Sequence, residues 1–496
     1  MPEPKTVASF AIDWERDNVI NYEIQASQDG REWETVWSRS SRTEEVREKG
    51  NFAEPKTAKY FRVKINDFSQ TGTNSSGTTN TWNTVSIYEF ELFGEKLAMP
   101  EHTLESVTSG IAVTPINKGD THMAMPEVPE GYEIEFVGAD YEQIIGADRT
   151  IHQPLIDTVV EVNFTVKKGD KSKTTAPIRV TVPGKYQANV GNEKPKVIPE
   201  LAEWYGTEGD FTITDSTKII VDSAYTEQLN ETAKKFAADY KDIVGKDIVI
   251  EQGSEAGNNN FFLTLATDDT GLCNEGNIIT VDNSIKIEAK AAQGAYYATR
   301  SILQILKQTE TTIPQGIVRD YPKYKVRGFV LDVARKSYEL ESLKELAETM
   351  AWYKLNDLQV HLNDNLIPLE NYSSAGKDPM EAYSAFRLES DIKEGGNNGL
   401  NKADLTSTDM FYTKNEFNEF IKTSRIYGVN IVPEIDTPAH SLALTKVRPD
   451  LRHGTWGRDN DHLALKTKYD ECLDFVKSIF DEYMICLLYT SPSPRD

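Results

Sequence analysis

The decapeptide VRGFVLDVAR, residues 326–335, decides the fold of the C-terminal part of this chain. Its nearly continuous apolar run is typical of a strand in a parallel sheet, because helices cover both faces of such a sheet. Apolar residues then recur at spacings of three and four, which predicts a helix. These residues are Leu343, Leu346, Ala347, Met350 and Ala351. The stretch therefore begins a series of β–α units.

The strand-and-helix pattern recurs downstream. LQVHL (358–362) predicts a second strand and VNIVPEI (429–435) a third. A capping box of Thr413 and Glu416 predicts the start of the helix between them. One face of that helix carries Phe417, Phe420, Ile421 and Ser424. Such alternation points to either a doubly wound sheet or a (β/α)8 TIM barrel.

Charged or imidazole side chains follow each of these strands: Asp332 and Arg335, then His361 and Asp364, then Glu434, Asp436 and His440. One such residue alone would more often be structural. In a β/α barrel the C-terminal strand ends share one rim, where active sites lie. The combined set favours an incomplete barrel with a functional rim, of which about three strands are present.

Imidazoles and carboxylates are also metal ligands. However, His361, Asp364, Asp436 and His440 lack the close spacing of common zinc motifs. EGGNNGL (394–400) follows no strand and does not predict a phosphate-binding loop. We expect no metal and no cofactor, with metal-dependent deacetylase or hydrolase chemistry on the same rim as an alternative.

Three other regions precede this segment. Residues 1–96 alternate polar and apolar side chains and predict a β-sandwich module. Residues 100–186 predict a small immunoglobulin-like β unit, and a proline-bearing linker follows it. Residues 198–320 mix strand and helix signals, which predicts an α+β domain serving as a scaffold. The chain is therefore expected to be multidomain, with the barrel segment at residues 325–485.

The composition limits the classes of partner that this protein is expected to bind. The 496 residues exceed what one core usually supports, and 54 basic against 78 acidic residues give a net charge of −24. That charge argues against nucleic acid, because phosphate binding needs a basic face. No apolar run approaches the about 18 residues that span a membrane.

Cys273, Cys472 and Cys486 show no metal-ligand spacing. The N-terminus lacks a signal-peptide layout, so the protein is cytoplasmic or Met1 is not its natural start.

Three ordered motifs resemble glycoside hydrolase family 20, which contains the β-N-acetylhexosaminidases and lacto-N-biosidases. They are RGFVLDVARK, MAWYKLNDLQVHLNDN and GVNIVPEIDTPAHSLAL. The α+β region also resembles the domain that precedes the barrel in this family. Val360 before the histidine, Asn365 in place of a second acid, and ARK at 334–336 depart from the usual pattern. These departures favour the lacto-N-biosidase-like branch.

The N-terminal region resembles part of a discoidin-like (coagulation factor type C) carbohydrate-binding module. The matching pieces are YEIQASQDGREWETV, AKYFRVKI and SIYEFELFGE. A glycan module joined to such an enzyme implies an extracellular or cell-surface location, with N-acetylhexosamine-containing glycans as partners. No binding residue is carried over to this module.

The family resemblance implies a substrate-assisted retaining mechanism, in which the sugar's 2-acetamido oxygen attacks the anomeric carbon. Arg335 matches the arginine that holds hydroxyls of the terminal sugar. Asp364 and His440 match residues that support the catalytic acid. Glu434 and Asp436 match rim acids, and His361 is either a rim contact or a packing residue.

The family's catalytic Asp-Glu pair has no counterpart after a fourth strand. The chain's adjacent Asp-Glu pairs, 470–471 and 481–482, lie in one amphipathic helical stretch. There Glu471, Asp481 and Glu482 are expected to be solvated, beside a buried stripe of Cys472, Phe475, Val476, Ile479, Phe480 and Tyr483. Residues 486–496 are expected to be a non-native tail, and the chain an inactive, aggregation-prone fragment. A non-catalytic glycan-binding protein or adhesin on a degenerate barrel is the alternative.

Overall fold

The computed structural model of the protein describes residues 2–41, 46–74, 76–81, 83–96, 103–187, 191–392 and 405–488. The chain divides into two units, residues 1–107 and residues 108–496. Within the described residues, no helix has the length and apolar character needed to cross a membrane.

The first unit is a β-sandwich, as its alternating sequence predicts. Its strands are β1 (Lys5–Trp14), β2 (Val19–Ser27), β3 (Glu34–Arg39), β4 (Arg47–Ala58), β5 (Tyr60–Phe68), β6 (Thr71–Thr73), β7 (Thr79–Thr81) and β8 (Ile87–Phe93). Two antiparallel sheets, ordered β4-β1-β8 and β3-β2-β5, share one hydrophobic core. Phe10, Trp14 and Tyr22 are its largest fully buried side chains together with Phe52.

An antiparallel sheet opens the second unit. The helix α1 (Leu104–Ser109) spans the division between the two units, and the sheet consists of β9 (Glu133–Ala139), β10 (Thr158–Lys168), β11 (Lys171–Thr174) and β12 (Ile178–Val182). The long β10 pairs with β9 along one edge and with β12 and β11 along the other. Alternate residues of β10, from Val160 to Val166, are fully buried. The immunoglobulin-like assignment of this sheet stays a prediction.

The next region mixes strands and helices, as predicted. Its elements are β13 (Glu203–Thr212), β14 (Lys218–Asp222), α2 (Thr226–Val244), β15 (Val249–Gly253), β16 (Phe261–Thr264), β17 (Asn277–Val281), β18 (Ile285–Ala289), α3 (Ala292–Thr309) and β19 (Thr312–Asp320). The strands form one seven-stranded sheet in the order β13-β19-β17-β18-β16-β14-β15. Both helices bury apolar faces in the same core, including Phe236 of α2 and Leu303 of α3.

The C-terminal region repeats the β–α order predicted from residue 326 onward. Its elements are β20 (Gly328–Asp332), α4 (Leu340–Trp352), β21 (Asp357–His361), β22 (Asn363–Asn365), α5 (Leu369–Ser374), β23 (Ser384–Phe386), α6 (Lys414–Ile426), β24 (Asn430–Glu434), α7 (Leu442–Val447) and α8 (Tyr469–Tyr483). Short 3-10 helices occur at Pro379–Glu381, Pro449–Leu451 and Gly457–Asn460, with another at Ser223–Tyr225 in the preceding region, and a π-helix occurs at Met484–Leu488.

Three parallel strands, ordered β20-β21-β24, carry this region. Helices cover one face of the sheet, where Leu358, Val360 and Ile431 join the core of α4, α6 and α8. The hairpin of β22 and β23 extends from the C-terminal end of β21. Since the strands are parallel and in register, their C-terminal ends meet at one edge.

The prediction that Glu482 is solvated was wrong. Its side chain is only 12% exposed, and its Oε1 lies 2.7 Å from Lys414 Nζ. Ser390 Oγ and the Asp391 backbone N–H also donate to this carboxylate, at 2.9 and 2.7 Å. Asp481 is exposed as expected, whereas Phe480, assigned to the buried stripe, is 41% exposed.

The other α8 assignments agree with the structure. Glu471 is exposed, Cys472, Phe475, Ile479 and Tyr483 are buried, and Val476 packs against the core. The predicted tail from residue 486 lies largely outside the described residues, which end at residue 488.

Candidate active site

Three of the site residues lie in one register row at the C-terminal ends of the parallel strands. Asp332 is registered with His361, and His361 is registered with Glu434. Because side chains alternate along a strand, these three residues share the face opposite the helices. Gln359 lies on the same face and donates from Nε2 to Glu434 Oε2 at 2.8 Å. The strand ends therefore bring together the polar groups that the sequence placed on a common rim.

Asp364 is the centre of the cluster. Its side chain is 1% exposed, and its Oδ2 accepts from Arg335 Nη2 at 2.6 Å and from His361 Nε2 at 2.7 Å. Oδ1 accepts from the Asn365 backbone N–H at 2.7 Å and lies 3.1 Å from His440 Nδ1. Burial opposes ionisation, but these donors and charges outweigh it and lower the pKa of Asp364. The carboxylate is thus a buried anion with two cationic partners, Arg335 and His361.

Arg335 faces the rim with a third of its side chain exposed, 33%. Its Nη1 donates to Asp332 Oδ2 at 2.8 Å, and its Nη2 lies 3.3 Å from His440 Nδ1. The backbone N–H groups of Ala334 and Arg335 both donate to Asp332 Oδ1 at 3.0 Å. Asp332 therefore fixes both the loop and the guanidinium that extends from it.

His361 is held between two carboxylates. Its Nδ1 lies 3.2 Å from Glu434 Oε1, while its Nε2 contacts Asp364. Burial disfavours the imidazolium, but the hydrogen bonds and charges of Asp364 and Glu434 outweigh it and raise the pKa of His361 to about 9. Both ring nitrogens therefore act as donors at neutral pH. His361 hydrogen-bonds two carboxylates of the rim, and its assignment as a sugar contact stays a prediction.

The loop after β24 brings Asp436 and His440 to the same place. Asn363 is fully buried, and its Oδ1 accepts from the Asp436 backbone N–H at 2.7 Å. Its Nδ2 donates to the carbonyl oxygens of Asp436 and His440 at 3.0 and 3.2 Å. His440 has a positive φ of 56° and a side chain that is 44% exposed. One buried amide thus shapes this loop.

Two overlapping groups have the composition of a metal site. Ligand atoms of Asp332, His361 and Asp364, and those of His361, Glu434 and Asp436, lie within 4.8 Å of one another. A metal-binding imidazole needs a neutral ring nitrogen. The raised pKa of His361 opposes that state, and Arg335 already supplies positive charge beside Asp364. The arrangement fits a hydrogen-bonded network, and the expected absence of a metal stays a prediction.

Asn365, which stands where the family pattern has a second acid, serves the scaffold. It is 1% exposed and donates from Nδ2 to Asp461 Oδ2 at 3.0 Å. Its Oδ1 accepts from the Leu442 backbone N–H at 3.4 Å. The substitution therefore ties the hairpin to the start of α7.

Sequence reasoning did not identify Gln359, Asn363 or Arg387 as parts of this site. Gln359 could have been found from the two-residue period of β21, which places it on the face of His361. Asn363 and Arg387 donate hydrogen bonds to carbonyl oxygens of loops that are distant in sequence. No periodic pattern in the sequence could therefore identify them.

A separate cavity of about 230 Å³ lies at the opposite ends of the strands. Arg327 and Lys354, which precede β20 and β21, line it together with Tyr141 and Tyr297. Lys354 Nζ donates to Asp320 Oδ2 at 2.7 Å beside it. In β/α folds this end contributes stability rather than chemistry, so the rim is the candidate active site.

Comparison with known families matches this architecture. Residues 324–490 match the catalytic domain of glycosyl hydrolase family 20, and residues 194–321 match domain 2 of the same family. Residues 1–90 match the F5/8 type C domain. The two family 20 matches together cover more than half of the chain.

Known relatives carry related names. A lacto-N-biosidase of Bifidobacterium bifidum is 23% identical over 310 residues, which are 62% of this chain and 24% of that protein. A beta-hexosaminidase of Porphyromonas gingivalis is 25% identical over 305 residues, 58% of this chain and 36% of that protein. A solved GH20 beta-N-acetylhexosaminidase of Streptomyces coelicolor has a TM-score of 0.46 at 21% identity, covering 60% of this chain and 58% of that one.

The chain spans about a quarter to a third of the length of these two curated relatives, 24% and 36%. Across residues 194–321 and 324–490, the chain belongs to glycosyl hydrolase family 20, and it carries an F5/8 type C module at residues 1–90.

Proposed function

We propose that this chain is the sugar-binding part of an exo-acting glycoside hydrolase that removes terminal β-linked N-acetylhexosamine from glycans. The observation that supports this proposal most directly is the Arg335–Asp364 contact of 2.6 Å, at a rim built from three parallel strand ends. A part-exposed guanidinium fixed by a buried carboxylate is suited to hold two sugar hydroxyls, because its donors form a rigid fork. The names of the curated relatives support the substrate class.

Each rim residue has a role in this proposal. Arg335 donates to hydroxyls of the terminal sugar when that sugar replaces part of its contact with Asp332. Asp364 and His440 support the catalytic acid, and the buried charge of Asp364 orients His440 from 3.1 Å. His361, Glu434 and Asp436 form the adjoining wall of hydrogen-bonding groups. These proposed roles require no cofactor.

The reaction itself is substrate-assisted. The 2-acetamido oxygen attacks the anomeric carbon, while an Asp orients the acetamido group and a Glu protonates the leaving oxygen and later activates water. The adjacent Asp-Glu pairs of this chain, 470–471 and 481–482, both lie on α8. Glu482 is engaged by Lys414. We therefore propose that these 496 residues bind the sugar and do not turn it over.

The choice between N-acetylhexosamine and lacto-N-biose depends on the branch of the family. The relative named lacto-N-biosidase and the HLNDN sequence of residues 361–365 favour the second substrate. Either substrate is a glycan found outside cells, so an extracellular or cell-surface location belongs to the same proposal. The F5/8 type C module is consistent with glycan attachment there.

A non-catalytic glycan-binding protein or adhesin is the second candidate. The position of both Asp-Glu pairs on α8, away from the rim strands, favours it. It shares sugar binding with the first candidate and differs in whether the natural protein hydrolyses its ligand.

A paired experiment tests the proposal. The purified chain is incubated with a chromogenic β-N-acetylglucosaminide, and saturation-transfer NMR is recorded with N-acetylglucosamine and with glucose. We expect no chromophore release, but saturation transfer to N-acetylglucosamine in preference to glucose. Release of chromophore would refute the inactivity of this chain. Absence of saturation transfer in a folded sample would refute the sugar site.

A further inference from the structure

A fully buried arginine lies behind the rim. Arg387 follows β23 directly and has an exposure of 0%. Its Nε donates to the Val333 carbonyl oxygen and its Nη2 to the Ala334 carbonyl oxygen, each at 2.9 Å. These are the two residues immediately before Arg335. The guanidinium thus holds the loop that presents the proposed sugar-binding arginine.

The other donors of Arg387 are also occupied. Nη1 donates to Asp409 Oδ1 at 2.7 Å and to the Met410 carbonyl oxygen at 2.9 Å. Nη2 also donates to the Tyr383 hydroxyl, which itself donates to Asp409 Oδ2 at 2.8 Å. A guanidinium has five N–H donors in a fixed plane. All five therefore have a partner, and the side chain has one allowed orientation.

The backbone of Arg387 reaches the second half of the site. Its N–H donates to the Leu362 carbonyl oxygen at 2.8 Å, two residues before Asp364. One residue therefore fastens the loop of Arg335 through its side chain and the segment of Asp364 through its main chain. Arg335 and Asp364 then meet at 2.6 Å. Both groups of this contact therefore belong to segments that are hydrogen-bonded to Arg387.

We propose that Arg387 is a positioning residue, which sets the Arg335–Asp364 contact by fixing both segments from behind the rim. The sugar-binding consequence rests on the proposed function, whereas the positioning itself does not. Lysine cannot replace Arg387, because a single ammonium cannot reach two adjacent carbonyl oxygens and a carboxylate in different directions. A carbonyl left unsatisfied in this buried place is costly, so the loop will shift to find a partner.

The test is a double-mutant cycle of Arg387→Lys and Arg335→Met, read out first without any sugar. The ring nitrogens of His361 are titrated by NMR in each variant. Arg335→Met removes a cation that stands beside Asp364 and His361. The charged form of His361 is then more favourable, so the pH midpoint of its titration is expected to rise. Arg387→Lys is expected to move it in the same direction, and the double variant no further than Arg335→Met alone. Arg319→Lys, a change at a buried arginine bound to Asp269 and Glu203, is the control and leaves the midpoint in place.

The second readout is affinity for N-acetylglucosamine. Arg387→Lys is expected to weaken binding about tenfold or more, as a misplaced group does, and to have no further effect in the Arg335→Met background. Unchanged titration and affinity in Arg387→Lys, or effects that add in the double variant, would overturn the proposal. If the parent chain binds no sugar, the proposed function fails and the titration cycle decides the role of Arg387. If Arg387→Lys does not fold, Tyr383→Phe removes one partner and is expected to shift the His361 midpoint upward by less.

Discussion

At the scale of single residues, Asp364 shows how this site stabilises a buried negative charge. Its carboxylate is 1% exposed, and Arg335, His361 and His440 approach it from three different segments. A buried carboxylate without such partners would be neutral, because desolvation disfavours its charge. The partners keep it ionised and lower its pKa. Asp364 and His361 therefore depend on each other, because each favours the charged form of the other.

The stability of this cluster should depend on pH through His361. Its pKa rises from 6.5 to about 9, so its contribution is complete below 6.5 and is lost as the pH passes through 9. We expect the free energy of unfolding of the rim region to fall over this window, by up to about 3 kcal/mol. His361→Gln should remove most of this dependence.

Urea unfolding at several pH values checks the expectation, with His453→Gln as the matched control because His453 is exposed. An equal pH dependence in parent and His361→Gln would contradict it. So would a stability that increases toward pH 9.

The rim residues were predictable from sequence and their supports were not. Asp332, Arg335, Asp364 and His440 lie at or shortly after the C-terminal ends of the three parallel strands, and such strand ends can be located from apolar runs. Arg387 was not predicted, because it contacts carbonyl oxygens of residues 54 and 53 positions earlier. Those partners are backbone atoms, which carry no residue identity for a sequence pattern to reveal.

The capping box of α6 shows at the scale of elements that a local signal can be accurate. Thr413 Oγ1 accepts from the Glu416 backbone N–H at 3.2 Å, and Glu416 Oε2 accepts from the Thr413 backbone N–H at 3.1 Å. The helix begins at Lys414, as the sequence predicts. All partners lie within four residues, so the signal needs no knowledge of the tertiary fold.

Thr413→Ala should destabilise the helix start. Loss of the cap leaves backbone N–H groups without their side-chain partner, at a cost of about 1 kcal/mol. Urea unfolding measures the change, with Thr423→Ala inside the same helix as the control. A loss of equal size in both variants would show that the cap contributes nothing specific.

The helix α8 shows where element-level prediction fails. Its period identifies the buried stripe, yet Glu482 pairs with Lys414 and receives the Asp391 backbone N–H. These partners come from 68 and 91 residues earlier in the chain. A helical period records which face is apolar, and it does not record which distant polar group will reach the border of that face.

At the scale of the whole molecule, the helices in the described part of the chain cover one face of the three-stranded sheet and leave the other face uncovered. Val330, Gln359 and Val432 form one register row on that face. Val330 is 57% exposed and Val432 is 37% exposed. Among the described residues, β20 and β24 each have one strand neighbour. Two exposed valines on an uncovered face, next to open strand edges, favour association between molecules.

This exposed face should bind a hydrophobic dye and promote aggregation. The double variant Val330→Ser and Val432→Ser should lower dye fluorescence and slow the growth of light scattering, because less apolar surface is exposed. Val249→Ser is a matched control, since Val249 on β15 is also 57% exposed. Equal fluorescence and scattering in the double variant and its parent would contradict the role of this face.

The architecture as a whole followed from composition and period. A β-sandwich, a region of mixed strands and helices and a parallel β–α region follow one another in the predicted order, and their bounds as domains stay a prediction. The packing between these regions could not be predicted from composition and period. Arg319 is fully buried and donates to the Gln143 carbonyl oxygen at 2.6 Å across 176 residues. A contact over that distance depends on how domains meet, which no local period encodes.

The central claim is that the rim around Arg335 and Asp364 binds a terminal N-acetylhexosamine. Isothermal titration of the parent chain, Arg335→Met and the surface control Arg179→Met with N-acetylglucosamine tests it most directly. We predict that the parent and Arg179→Met bind with equal affinity, and that Arg335→Met loses about tenfold or more, as expected when a charged hydrogen bond to a ligand is removed. Equal affinity in all three folded proteins, or no binding by the parent, would contradict the account.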